Sequence, residues 1–173
     1  MPTAESRDNR PPGVGARAIV MHRGHVLLLR GQEPARTYYF LPGGGVRHGE
    51  TMQAACEREV LEETGISVRA TRLLYVREFI AARHKRRTQG MPGTHHVVAG
   101  LFLCEVTGAD AGREPAELGR FTPDRNAAGV TGMVWMKQSE LAEAEIHPPQ
   151  VKQALLADFP PPIDTGTQFW PEE

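Results

Sequence analysis

The carboxylates between residues 44 and 66 are the residues of this chain whose types and spacing could do chemistry. Glu59 and Glu62 are three residues apart, and Glu59 and Glu63 are four apart. A helix brings residues at those separations onto neighbouring turns of the same side. Carboxylates held so closely repel one another, and a divalent cation relieves that repulsion. The spacing therefore predicts a metal site.

The apolar residues of the same segment sharpen this prediction. At about 100° per residue, Met52, Cys56 and Val60 form a stripe that would face the body of the domain. Glu59 and Glu63 fall within that same sector, whereas a merely solvated acidic face would lie opposite the stripe. Burying ionised carboxylates without a partner costs several kcal/mol, so a ligand or a counter-charge is required.

The segment resembles the Nudix box, which residues 44–66 match at every defining position. The matching residues are Gly44, Glu50, Arg58, Glu59, Glu62, Glu63 and Gly65, with aliphatic Val60 and Ile66. Gly65 is suited to end the helix, and the glycine run 43–45 permits close backbone approach to a ligand. The flanking strand pattern extends the resemblance, less specifically, from Arg17 to Phe159.

The resemblance implies a role for each of these residues. Glu59 and Glu63 would be the principal metal ligands, Glu62 a further ligand or the catalytic base, and the Gly44 carbonyl would complete the shell. Carboxylate ligands without clustered histidine or thiolate favour Mg²⁺ or Mn²⁺ over zinc.

Arg58 is interpreted as a catalytic residue that orients a carboxylate such as Glu50 rather than touching the substrate. The alternative is an ordinary pair on the helix surface, worth ~0.5 kcal/mol.

The general base is left open because the chain departs from the family pattern. Family members often carry an acid just after the glycine run, where this chain has Arg47, and many take a second carboxylate from a late loop. Residues 126–136 contain no acid. The candidates are Glu62 and three acids of the loop 108–129: Glu114, Glu117 and Asp124.

Four residues are assigned to substrate binding: Arg30, Tyr39, Arg86 and His96. Tyr39 could stack on a base, and Arg86 lies in a basic loop, 83–94, that could grip a polyphosphate or could simply be solvated. His95 and His96 alternate faces, so at most one points at the site. Family markers of ADP-ribose hydrolases (a proline) or dinucleoside polyphosphate hydrolases (a tyrosine) would fall around residues 80–84, where neither occurs.

The predicted activity is that of a Nudix pyrophosphohydrolase. It would use a divalent metal to hydrolyse a pyrophosphate bond in a nucleoside diphosphate derivative, with water attacking phosphorus. Nothing in the chain resembles a Walker loop or a nucleophilic triad. Two alternatives are kept: a catalytically silent Nudix domain that senses a ligand, and an enzyme of the same fold that isomerises a diphosphate ester with metal assistance.

Composition bounds the remaining classes. The 173 residues are enough for one domain, and the net charge of −1 gives no basic patch for duplex nucleic acid or an anionic membrane. Cys56 and Cys104 lie in apolar contexts and are expected to be reduced, and no apolar signal segment precedes the domain. We therefore expect a cytoplasmic protein with a small-molecule substrate and no membrane partner. A homodimer is left open.

The elements that must position these residues are predicted from periodicity. Residues 16–21 and 26–30 form a hairpin, further strands lie at 39–41, 72–80, 95–106 and 132–137, and helices lie at 50–64 and 149–159. This order predicts an α/β protein, a Nudix-type α/β/α sandwich around a mixed sheet. The domain is predicted to span 16–159, between a disordered segment, 1–15, and an irregular tail, 160–173.

Overall fold

The computed structural model describes residues 10–83, 94–123 and 129–170. Its strands are β1 (Gly13–His22), β2 (His25–Glu33), β3 (Arg36–Phe40), β4 (Gly43–Gly45), β5 (Val68–Ile80), β6 (His96–Val106), β7 (Val130–Lys137), β8 (Ile146–His147) and β9 (Gln168–Trp170). Its α-helices are α1 (Met52–Thr64) and α2 (Pro149–Leu156). Among these residues, no helix has both the length and the apolar character needed to cross a membrane.

The strands form one mixed sheet. Its main path runs β8-β3-β2-β1-β6-β5-β9, while β4 pairs with β1 and β7 pairs with β2. The β1–β6 pair is parallel, whereas β1 pairs with β2 and with β4 in antiparallel fashion. The short β4 therefore extends the sheet beside the first half of β1, directly ahead of α1 in the chain.

Each helix covers its own part of the apolar core. Cys56 and Val60 of α1 pack with Ala16 and Ala18 of β1 in one cluster. Ile19, whose parity on β1 is opposite, belongs to a second cluster that includes α2. Complete burial of each Val, Leu or Ile side chain contributes about 1.5–3 kcal/mol before entropy is counted. The predicted α/β/α sandwich around a mixed sheet is confirmed.

The first helix starts and stops through defined caps. The Thr51 hydroxyl accepts a hydrogen bond from the Ala54 N–H at 3.1 Å, and Gly65, at φ 69°, donates its N–H to the Leu61 carbonyl. The helix begins at Met52 rather than at Glu50, because Thr51 takes the extended backbone conformation of an N-cap, with φ −77° and ψ 155°.

Two strands near the ends of the described chain differ from the elements predicted from the sequence. Strand β1 begins at Gly13 rather than Ala16, because residues 13–15 pair with residues 97–99 of β6. The tail, predicted to be irregular, contains strand β9, which pairs in parallel with β5, and Trp170 stacks on Tyr75 with ring centroids 4.0 Å apart. Both errors arise because pairing with a distant strand, not local composition, orders these residues.

Candidate active site

Strand β4 and helix α1 bring two carboxylates to adjacent glycines. The Gly43 N–H donates to a Glu63 carboxylate oxygen at 2.9 Å. A side chain at Gly44 would place its Cβ 2.5 Å from the Glu59 carboxyl carbon, so only glycine lets Glu59 lie there. The carboxylates that the sequence assigns as principal metal ligands therefore lie against one short stretch of backbone.

Arg58 holds the carboxylates in a network. Its Nε and Nη2 donate to the two oxygens of Glu50 at 2.8 and 2.9 Å, and its Nη1 donates to Glu59 at 2.7 Å and Glu62 at 3.1 Å. Nη2 also reaches the Gly45 carbonyl at 3.0 Å. The arginine that was expected to orient Glu50 thus forms a two-pronged pair with it, an arrangement stronger than a single hydrogen bond.

The same contacts set the ionisation of the Glu50 carboxyl group. Hydrogen bonding from Arg58, followed by the Arg47 backbone N–H, lowers the pKa of Glu50 to about 2. The hydrogen bond with Glu50, helped by those with Glu59 and Glu62, raises the pKa of Arg58 in return. Glu50 is therefore a fixed anion at neutral pH and is suited to positioning Arg58 rather than to transferring a proton.

Glu62 occupies the outer side of the cluster. The Arg47 guanidinium lies 3.2 Å from one Glu62 oxygen, and both side chains are largely exposed. In this chain, an arginine that pairs with Glu62 therefore stands at the position where the family often carries an acid. Of the acids on this side of α1, Glu62 is the most accessible to solvent, with 48% exposure against 18% for Glu59.

Sequence reasoning missed Arg17, which lies in β1. Its Nη1 donates to the Gly43 carbonyl, and it is half-buried between the fully buried Ala16 and Ala18. Burial lowers the pKa of Arg17, and the nearby Glu63 and Glu59 carboxylates raise it. The available signal is a single arginine inside the otherwise apolar run 16–21, a pattern that by itself predicts only a strand.

The strand register determines the direction of the Gly44 carbonyl, which the sequence assigns as a metal ligand. Val14 and Val46 form a hydrogen-bonded pair, so alternation along the antiparallel ladder makes Ala16 and Gly44 the next such pair. The Gly44 carbonyl is thereby directed at β1. The neighbouring carbonyl, that of Gly43, points away from β1 and is the one that Arg17 contacts.

The donor set fits a hard cation in its chemistry, because it consists of carboxylates and outward backbone carbonyls. However, across the described ranges no three His, Cys, Asp or Glu side chains converge on a point that could hold a metal ion. The hydrogen bonds explain this, since Glu59 and Glu62 are drawn to arginines and Glu63 to the Gly43 N–H. A metal would therefore have to displace some of these arginine contacts.

Two of the candidate bases lie elsewhere. Glu114 pairs with Arg23, beyond the far end of β1, and Glu117 bonds to the Glu114 N–H at 3.2 Å. At ~3.3 Å per residue, the end of β1 is about 16 Å from Arg17. The structure does not bring these two acids to Glu59 and Glu63, and Asp124 lies outside the described residues.

The residues assigned to substrate binding are dispersed over the sheet. Arg30 of β2 donates to the Thr131 hydroxyl at 3.3 Å, and Tyr39 is its register partner on β3. His96 lies at the start of β6, with its ring 2.9 Å from Glu78. Arg86 lies outside the described residues. None of the three described residues shares a hydrogen bond with a carboxylate of α1 in the part of the chain that the structure covers.

Comparison with known proteins identifies related folds and sequences. The ADP-ribose pyrophosphatase of Methanocaldococcus jannaschii is 32% identical over 100 residues, which are 57% of this chain and 54% of that protein. The MutT-like protein of Streptomyces ambofaciens is 28% identical over 142 residues, 81% of this chain and 74% of that one. The chain thus spans about half the length of the first relative.

A solved structure shares the fold. The crystal structure of an ADP-ribose pyrophosphatase from Streptococcus suis superposes with a TM-score of 0.60 at 20% identity, covering 92% of this chain and 100% of that one. The family model for the NUDIX domain matches residues 9–155, which include β4, α1 and all four acids of the cluster. The resemblance predicted from residues 44–66 is therefore confirmed, and the chain belongs to the NUDIX family.

Proposed function

We propose that this protein is a metal-dependent pyrophosphohydrolase that cleaves a pyrophosphate bond in a nucleoside diphosphate derivative. The observation that carries the proposal is the meeting of Glu59 and Glu63 at the adjacent glycines of β4. Such a group of hard oxygen donors, beside glycines that carry no side chain of their own, is suited to an ion that also binds phosphate oxygens.

The metal would be held by Glu59 and Glu63, with Glu62 as a further donor and the outward carbonyl of Gly43 in place of Gly44. When bound, Mg²⁺ or Mn²⁺ would activate water and neutralise the charge that develops on the diphosphate.

The protein's own residues have separate tasks in this proposal. Arg58 fixes the orientation of Glu59 while Glu50 holds Arg58 in place. Glu62 is exposed, and only two arginines, Arg47 and Arg58, are hydrogen-bonded to it. Among the described acids of the site it is therefore the one best placed to take a proton from water. Asp124 stays open as a second base, since it lies outside the described residues.

The proposed substrate class is supported by the chemistry of the site and by the names of similar proteins. Two of the similar proteins are named ADP-ribose pyrophosphatases, so a nucleoside diphosphate joined to a sugar is the first class to test. We propose that the partner of this site is such a small molecule, acted on in the cytoplasm.

A panel of nucleotides tests the proposal. The protein is incubated with ADP-ribose, other nucleoside diphosphate sugars, nucleoside triphosphates and dinucleoside polyphosphates, with Mg²⁺, Mn²⁺ or a chelator, and products are separated by chromatography. We expect cleavage of at least one member that the chelator abolishes. Binding without any product would indicate a ligand sensor, and an isomer of unchanged mass would indicate an isomerase; either result would overturn the proposal.

A further inference from the structure

The acids of the candidate site are nearly balanced by arginines of the same chain. The four acids Glu50, Glu59, Glu62 and Glu63 face three arginines, Arg17, Arg47 and Arg58. Two of the arginines belong to the box segment itself. Arg17 comes from β1, on the other side of β4, and so reaches the cluster only through the tertiary fold.

Side chains of opposite charge contact the two polar backbone groups of Gly43. Its carbonyl accepts a hydrogen bond from Arg17, and its N–H donates to Glu63 at 2.9 Å. Both groups are directed away from the β1 ladder, because Arg17 and Gly43 form a non-hydrogen-bonded pair in the register. Arg17 therefore contacts the backbone group that lies beside the two principal carboxylates.

The presence of a positively charged side chain at position 17 requires a physical explanation. The Arg17 side chain is half-buried, and holding a charged group partly out of water is unfavourable without a compensating partner. A neutral donor could hold a carbonyl equally well without that penalty. The positive charge itself is what the Glu59 and Glu63 carboxylates require.

We propose that Arg17 is the counter-cation of the metal centre: it holds the Gly43 carbonyl in the metal-free protein, and its positive charge limits the affinity of the carboxylates for a divalent ion. The proposal rests on the metal site of the proposed function. It makes Arg17 a positioning residue, because it acts through Gly43 and the carboxylates.

Mn²⁺ affinity, measured by electron paramagnetic resonance, tests the role of the charge. Arg17→Gln removes the cation, and we expect Mn²⁺ to bind at least roughly tenfold more tightly, since a unit charge and a divalent ion about 10 Å apart at an effective dielectric near 20 repel by more than that factor before screening by salt. The metal-free variant should melt at a lower temperature, because the carboxylates then repel one another. Arg17→Lys keeps the charge and should bind Mn²⁺ within about threefold of the parent.

The matched control is Arg69→Gln, which removes an exposed cation of β5 that pairs with Glu105 at 3.2 Å and leaves the cluster untouched. Its Mn²⁺ affinity should equal that of the parent. Equal or weaker Mn²⁺ binding by Arg17→Gln would overturn the inference, because a purely structural arginine would weaken the site when removed. If the parent itself binds no Mn²⁺, the proposed function fails instead.

A second measurement covers the case in which Arg17→Gln does not fold. The Arg17 side-chain Nε–H signal is followed by ¹⁵N nuclear magnetic resonance in the parent during a Mg²⁺ titration and is assigned by its loss in Arg17→Lys. We expect it to shift with the same midpoint as Mg²⁺ binding, because the metal replaces the guanidinium at the Gly43 carbonyl. A signal that stays in place at saturating Mg²⁺ would contradict the inference.

Discussion

Two acidic regions of this chain look alike in composition and differ in what their carboxylates contact. In the loop after β6, Asp110 pairs with Arg113 at 3.0 Å and Glu117 bonds to the Glu114 N–H, so these two acids complete their own turns. In α1, Glu59 and Glu63 contact the backbone of a different element, β4. An acid that stabilises its own turn is explained by local structure, whereas an acid carried to another element's glycine indicates a site.

The arginines of the two regions differ in the same way. Arg23 and Glu114 form a surface pair with side chains 46% and 62% exposed. Arg58 and Glu50 are only 17% and 16% exposed, and Arg58 bonds to three carboxylates and a carbonyl. Exposed pairs contribute between 0 and about 1 kcal/mol, so only the second arrangement can fix geometry.

The largest expected difference is in turnover. Glu63→Gln keeps the shape of the side chain and removes a proposed metal ligand, so we expect kcat to fall by a factor on the order of 10² to 10⁴. Glu114→Gln, the same change in the loop, should leave kcat within about twofold of the parent. Steady-state kinetics on the fastest panel substrate measures both. Comparable losses in the two variants would erase the distinction between the regions.

The next difference is in stability. Arg58→Gln leaves the Glu50 carboxylate without its two-pronged partner, and we expect the free energy of unfolding to fall by about 2 kcal/mol, less than for a fully buried pair. The matched change Arg23→Gln should cost less than about 1 kcal/mol. Urea unfolding of the metal-free proteins measures both values. Equal costs would show that the cluster around Arg58 is an ordinary surface network.

The sequence predicted the α1 side of this comparison because the information there is local. Spacing placed Glu59 and Glu63 on one side of a helix, and the Thr51 and Gly65 caps confine that helix almost where periodicity put it. Arg58 and Glu50 are eight residues apart on one continuous segment. The hairpin of β1 and β2 was likewise marked by its own turn residues.

Contacts between distant segments could not be predicted. Whether the Gly43 or the Gly44 carbonyl points outward depends on the parity of the β1–β4 ladder, which no local pattern specifies. The role proposed for Arg17 depends on β4 and α1, which bring the Gly43 carbonyl and the carboxylates beside it. Strand β9 is three residues long and is held by its pairing with β5 and the Trp170 stack on Tyr75. The carbonyl direction, the surroundings of Arg17 and strand β9 each depend on pairing between segments that are distant in the sequence.

The smallest expected effect is a pH dependence. The pKa of Glu50 is lowered from 4.5 to about 2, so its ionised form stabilises the folded state above about pH 4.5, and that contribution is lost as the pH falls towards 2. Glu50→Gln lacks this group. The difference in melting temperature between parent and variant should therefore be largest near neutral pH and shrink between pH 5 and 2. A difference that stays constant over this range would show that the ionised carboxylate contributes nothing.

Isotope labelling tests most directly whether the cluster of α1 and β4 hydrolyses a diphosphate at phosphorus. The panel substrate that reacts fastest is turned over in ¹⁸O-water with Mg²⁺, and the products are analysed by mass spectrometry, with Glu63→Gln and a chelator as controls. The account predicts one ¹⁸O atom on the phosphate of a single product, with little turnover in either control. Label found only on a carbon-bound oxygen, or turnover undiminished in Glu63→Gln, would contradict it.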